Sequence, residues 1–233
     1  MRAARGIHWV DFVRCEWPRR SRRTCVPTAG DPALERTHQR ETPPSVAGSL
    51  AGSLELTFDA GPDPVWTPEI LAALRGSPLQ ASFFVVATRA CRHPELIAAM
   101  CADGHAVELQ CHRNVRSDEA DRAAVERDTE LGLAVLGEAG LRPRRWRPPG
   151  WPVAPWMQEI ADAHDLELCG WDIDSNDRRG DRAERMLALA GPNLRPGAVV
   201  RLHDGIGPGD VRSGCEETVR FARLIAAEAA AAA

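Results

Sequence analysis

The stretch Leu54-Glu55-Leu56-Thr57-Phe58-Asp59-Ala60-Gly61-Pro62 decides how the chain is read. Leu54, Leu56 and Phe58 recur at the two-residue period of a strand, and Gly61-Pro62 ends the run. The spacing predicts a buried strand that delivers Asp59 just past its carboxyl end. In barrels and open α/β sheets, carboxylates placed there usually serve a site. An Asp before Gly-Pro is also an ordinary turn residue, so the rest of the chain has to decide between the two.

Outward from this strand the pattern is regular. Thr67-Pro68-Glu69 supplies an N-cap, a proline at the first helical position and an early acid, predicting a helix through Leu74. A strand is expected at 82–86, a helix opened by His93-Pro94-Glu95 that ends near Gly104, and a strand at 106–109. The longest helix is expected from Ser117 to about Gly140, with Val125, Leu131, Val135 and Leu136 on its apolar side. Further strands are expected at 144–147, 166–171 and 198–202, and helices at 153–164, 181–190 and 215–230. Such alternation predicts an α/β domain on a mainly parallel sheet, over residues 54–228. Residues 1–50 show no sustained period and read as a poorly ordered Arg/Pro-rich extension, and residues 229–233 read as an Ala-rich tail that lengthens the last helix.

Composition narrows the chemistry. The chain of 233 residues carries a net charge of −4, but residues 1–50 hold nine Arg against five acids, leaving 20 Arg against 28 acids in the body. A mildly acidic body makes nucleic acid an unexpected partner. There is no Lys and no Tyr, which removes Schiff-base lysines and tyrosine acids or nucleophiles. Seven scattered Cys without a Cys-x-x-Cys pair predict reduced thiols and a cytoplasmic setting. No apolar run reaches the length of a membrane span and no signal-like segment opens the chain, so no membrane partner is expected.

Polar residues collect where the expected strands end. Asp59 follows the first, Gln110-Cys111-His112 the third, Arg147 stands at the fourth, Asp172 to Asp177 follow the fifth, and His203-Asp204 follow the last. In a parallel barrel these ends meet on one face, and a base, a cation, a second acid and a histidine are the parts of a proton-transfer site. Read singly, His203 is equally a satisfied core histidine, Arg147 a salt-bridge partner and the Asp cluster a loop.

These residues resemble the polysaccharide deacetylases of the NodB-homology group, a carbohydrate esterase family whose fold is an incomplete or distorted (β/α) barrel. Thr57-Phe58-Asp59-Ala60-Gly61-Pro62 resembles the family's Thr-Phe-Asp-Asp-Gly-Pro, and Gly104-His105 through Asn114 resembles the segment ending in His-x-x-x-His. Arg147-Pro148-Pro149-Gly150 is similar to the third motif, Asp174-Ser175-Asn176-Asp177 to Asp-x-x-Asp-Trp, and Leu202-His203-Asp204 to the last. The resemblance implies that Asp59 is the general base, His203 the general acid, Arg147 the partner of Asp59, and Asp177 the residue that tunes His203. Pro148, Gly150, Trp151, Trp171, Asp174 and Leu202 would bind substrate, with the Trp rings at 151, 156 and 171 placed to stack on a sugar or, as Trp more often does, to sit in the core.

The pattern breaks at the metal. The family's norm is a divalent ion such as zinc, held by the second Asp of the first motif and both His of the second. Those positions are Ala60, Gln110 and Asn114 here, and the fourth motif's Trp is Arg178. Neutral amides replace imidazole poorly at a zinc-like site, so no cofactor is expected, with Cys111 and His112 the possible substitute ligands. A zinc ion takes the pKa of its water from about 15.7 to about 7, help on the order of 12 kcal/mol in forming the nucleophile. Three functions therefore stay open: hydrolysis of a linear or cyclic amide by Asp59 and His203 without the usual metal; isomerisation, elimination or cyclisation by the same pair; and silent binding of a carbohydrate or metabolite. The partner is a small-molecule or saccharide substrate in each case, and the oligomeric state is open.

Overall fold

The computed structural model describes residues 54–113, 120–150 and 153–231. The expected first strand is β1 (Glu55–Asp59), and it lies near the middle of the sheet because both of its faces are apolar enough to be covered. It pairs in parallel with β2 (Ala81–Val86) on one side and β7 (Val199–His203) on the other. Outward from β2 come β3 (Ala106–Cys111), β4 (Arg145–Trp146) and β5 (Glu167–Leu168), and β6 (Ile173–Asp174) lies outside β7. The order β5-β4-β3-β2-β1-β7-β6 makes a seven-stranded parallel sheet whose two edge strands are not paired with each other, an incomplete, curled (β/α) barrel.

Helices α1 (Trp66–Leu74), α2 (Ala87–Arg92), α3 (Pro94–Ala102), α4 (Arg122–Glu138), α5 (Trp156–Ala163), α6 (Ala183–Ala190) and α7 (Glu216–Ala231) complete the described elements, with short 3-10 turns at Asp177–Arg179 and Gly191–Asn193. Phe58 of β1 stacks on Phe83 of β2 with ring centroids 5.0 Å apart, and both are fully buried. Burying such a ring contributes roughly 1.5–3 kcal/mol. Helix α4 comes close to the sheet through Gly132, where an added Cβ would stand 2.8 Å from the side chain of Leu109. Its buried stripe is Val125, Thr129, Gly132 and Leu136, so of the expected apolar face Leu131 and Val135 are only half-buried.

Several details differ from the sequence reading. Thr67 does not cap α1: the Asp63 carboxylate accepts from the amides of Val65 and Trp66, while the Thr67 hydroxyl donates to Asp204 at 2.6 Å. Helix α4 is capped by Asp121, which accepts from the Ala124 amide at 2.7 Å; the earlier start at Ser117 falls outside the described residues. Strands β4 and β5 are shorter than expected, and α2 and β6 were not expected at all. Cys91 and Cys101 are disulfide-bonded, so the reduced-thiol reading does not hold for them; Cys111, Cys169 and Cys215 are buried. Helix α7 continues past residue 228 to Ala231. The 1–50 extension lies outside the described residues. No described helix is long and apolar enough to cross a membrane.

Candidate active site

The carboxyl ends of the strands surround a cavity of about 350 Å³, walled by Asp59, Gln110, Arg147, Trp171, Asp174, Arg178, Arg201 and His203. Pro148 and Gly150 also line it. Trp151 and Asn114 lie outside the described residues. Leu202 does not reach the cavity: adjacent residues on β7 face opposite ways, so with His203 turned inward Leu202 is fully buried in the hydrophobic core. Trp156 likewise packs against the core from α5.

Asp59 and Arg147 form one half of the polar wall. Arg147 is 1% exposed and its guanidinium is fully engaged. One Nη donates to Asp59 Oδ1 at 2.9 Å and to Thr57 Oγ1 at 2.7 Å; the Nε and the other Nη donate to the carbonyls of Cys169 and Gly170 at 3.0 and 2.8 Å. Its plane also lies over the Phe84 ring at 4.1 Å. A planar fork held at every donor cannot turn, so it fixes the Asp59 carboxylate in orientation as well as in charge.

His203 supplies the other half, with the buried Asp177 behind it. The His203 Nδ1 lies 2.8 Å from Asp177 Oδ1, and the His203 amide donates to Oδ2 at 2.9 Å. Two residues that the sequence reading missed complete the support: Arg212 and Thr218 each reach Asp177 Oδ2, at 2.9 and 2.8 Å. Burial alone would raise the Asp177 carboxyl, but the neighbouring His203, Arg212 and Thr218 hold it well below the usual carboxylate range. Arg201, also missed, lies 3.3 Å from His203 Nε2. A guanidinium has no acceptor, so in that contact Nε2 accepts and the imidazole proton sits on Nδ1, facing Asp177.

Behind Asp59 lies a second carboxyl. Asp204 is fully buried beside Gly61, with Oδ2 bonded to Thr67 and Oδ1 without a hydrogen bond. Burial pushes it up to about 7 against that hydrogen bond, and the negative charges of Asp59 and Asp63 add to the rise.

The side expected to hold metal is built differently. Ala60 sits at φ 70°, a left-handed conformation that strains a residue with a Cβ. It is held there from both ends: its amide donates to Gln110 Oε1 at 3.1 Å, and its carbonyl accepts from Arg89, whose other Nη donates to the Ile206 carbonyl at 2.9 Å. Gln110 therefore points its carbonyl oxygen at the backbone of Ala60. Ala60 itself offers only a methyl group. Cys111 is buried beside a smaller cavity on the α4 side and His112 lines neither cavity, so neither takes the expected place of a ligand. Among the described residues no group of three or more His, Cys, Asp or Glu could hold a metal ion. This donor set does not fit a zinc-like site.

Known proteins with the same architecture place the chain. A sequence profile described as polysaccharide deacetylase matches residues 49–168. The chain is 32% identical over 180 residues to a chitooligosaccharide deacetylase from Bradyrhizobium sp. (strain ANU 289), covering 74% of this chain and 81% of that one. In fold it is similar to a family 4 carbohydrate esterase from Streptomyces lividans solved with acetate (TM-score 0.66, 24% identity, 77% of this chain and 88% of that one). It is similar to the same extent to a CE4 family pseudoenzyme from Bacillus anthracis (TM-score 0.65, 16% identity, 77% and 60%), so the fold by itself does not separate active from silent members. With the profile over half its length, a relative at this identity, and Asp59 and His203 on one cavity wall, each held by its partner, the chain belongs to the polysaccharide deacetylase family.

Proposed function

We propose that the chain hydrolyses the amide of an N-acylated saccharide or a related small molecule, with Asp59 as general base and His203 as general acid and without a divalent metal. The observation that carries this reading is the pair of supported groups on one wall of the cavity: Asp59 fixed by Arg147 at 2.9 Å and His203 fixed by Asp177 at 2.8 Å. Relatives described as chitooligosaccharide deacetylases support an N-acetyl amino sugar as the substrate class.

Each group takes one proton-transfer step. Asp59 takes a proton from water as the water oxygen bonds to the amide carbon and the carbonyl electron pair moves onto its oxygen. When that pair returns, the carbon–nitrogen bond breaks and the departing nitrogen takes a proton from His203 Nε2. To carry that proton His203 first leaves its contact with Arg201, and the Asp177 carboxylate opposite Nδ1 stabilises the imidazolium. The products are a carboxylic acid and an amine, and the two groups return to their starting state by proton exchange with solvent.

The test is acetate release from N-acetylglucosamine oligomers. The parent is expected to release acetate with a bell-shaped pH profile. Asp59→Asn and His203→Ala should each reduce kcat/KM by about 10²–10⁴-fold, and the double variant should fall little further, since either change already stops the same proton-transfer sequence. Retained oligomer binding without acetate release by the parent would make the cavity a recognition site instead.

A further inference from the structure

Three side chains on the adjacent strands β1 and β7, Asp59, Arg201 and His203, line the cavity. In the register of β1 with β7, Thr57 stands opposite Arg201 and Asp59 opposite His203, so Arg201 shares a face with both halves of the acid/base pair. Its guanidinium lies 3.4 Å from Asp59 Oδ2, 3.3 Å from His203 Nε2 and 3.5 Å from Asp174 Oδ2, and rests on the Trp171 ring at 4.0 Å. It thus spans the interval between base and acid. A carbonyl attacked by a water held at Asp59, with its nitrogen toward His203, has to lie in that interval.

The other guanidiniums on the cavity wall are committed elsewhere. Arg147 is engaged at all its donors, and Arg178 is tied to Asp210 and to the Pro208 carbonyl. Arg201 is held loosely by comparison. Its Nε is buried without a hydrogen bond, the contacts to Asp59 and Asp174 are ion pairs without hydrogen-bond geometry, and its contact with His203 ends when the imidazole is protonated. Nearby, Ala60 contributes no carboxylate to repel developing negative charge.

Resting on the hydrolytic reading, we propose that Arg201 is a catalytic residue that holds the oxyanion formed on the scissile carbonyl, supplying from the protein the positive charge that the Ala60 and Gln110 donor set cannot recruit as a metal. When the carbonyl pair moves onto oxygen, the guanidinium donates to it; when the pair returns and the carbon–nitrogen bond breaks, Arg201 is released to its ion pairs. A cation already placed between base and acid stabilises the charge where it develops, and removing one such donor costs about 10²–10³ in kcat.

Arg201→Leu and Arg201→Gln, assayed for acetate release beside Asp59→Asn, test this, together with calorimetric titration of methylphosphonate, a tetrahedral anion. Both Arg201 variants are expected to lose about 10²–10³-fold in kcat with KM little changed, and added guanidinium ion should partly restore Arg201→Leu. Methylphosphonate affinity should fall about tenfold or more in both. Should the Leu variant fail to fold, the Gln variant, which keeps a neutral donor, carries the same expectation. Parental kcat or parental methylphosphonate affinity in the folded variant overturns the assignment, and if Asp59→Asn is inactive in the same assay the hydrolytic reading survives. A parent that releases no acetate overturns both, even where methylphosphonate binding depends on Arg201.

Discussion

The two sides of the cavity solve the problem of a buried polar site differently. On the His203 side both carboxylate oxygens of Asp177 are answered, by His203, Arg212 and Thr218, which stand 26, 35 and 41 residues from it. On the Ala60 side a strained backbone is pinned by Gln110 and Arg89, and behind it Asp204 keeps one oxygen without a hydrogen bond. The first side holds a proton-transfer group in one orientation. The second supports the backbone, and in the hydrolysis proposed the positive charge comes from across the cavity, from Arg201.

The largest effect should follow from attacking the well-satisfied side. Asp177→Asn leaves the 5%-exposed side chain of Arg212 beside a neutral amide and removes the charge that stabilises an imidazolium. A loss of about 3–5 kcal/mol in denaturant unfolding is expected, with deacetylation falling as well. Its pH dependence has a definite sign. The carboxyl is held below its unfolded value near 3.8, so its contribution is complete above about pH 4 and fades on acidification; the Asn variant should lack that acid limb. A stable variant with an unchanged acid limb would show that the network is not what holds this side.

A smaller effect, of opposite sign, should come from the other side. Asp204 is raised to about 7, so ionising it costs stability that is still present in full below about pH 4 and is lost as pH rises to about 7. Asp204→Asn keeps an acceptor for Thr67 and removes the charge. The variant should match the parent near pH 4 and exceed it at pH 8 by about 1–3 kcal/mol in denaturant unfolding. Equal stability at both pH values would place the ionisation elsewhere.

The sequence made much of this legible where local pattern and site coincide. The alternation of Leu54, Leu56 and Phe58 located β1, and Asp59, Arg147, Asp177 and His203 come together in space as their positions at strand ends required. What was missed has no local signal. Strand β6 is two residues long within an Asp-rich segment and has no apolar period, and α2 is a six-residue helix of mixed composition. Arg212 and Thr218 act 35 and 41 residues from Asp177, through packing that no spacing rule records. Arg201 and Leu202 are a different case. The same two-residue period that turns His203 inward turns Arg201 inward and Leu202 outward, so reading β7 residue by residue would have exchanged their roles.

Amide hydrolysis by protein groups alone can be tested by measuring acetate release from N-acetylglucosamine oligomers with protein dialysed against a chelator, before and after zinc is returned. An unchanged rate in the dialysed protein, no gain on adding zinc, and loss of activity in Asp59→Asn are expected. Activity that vanishes on dialysis and returns with zinc would contradict hydrolysis by protein groups alone.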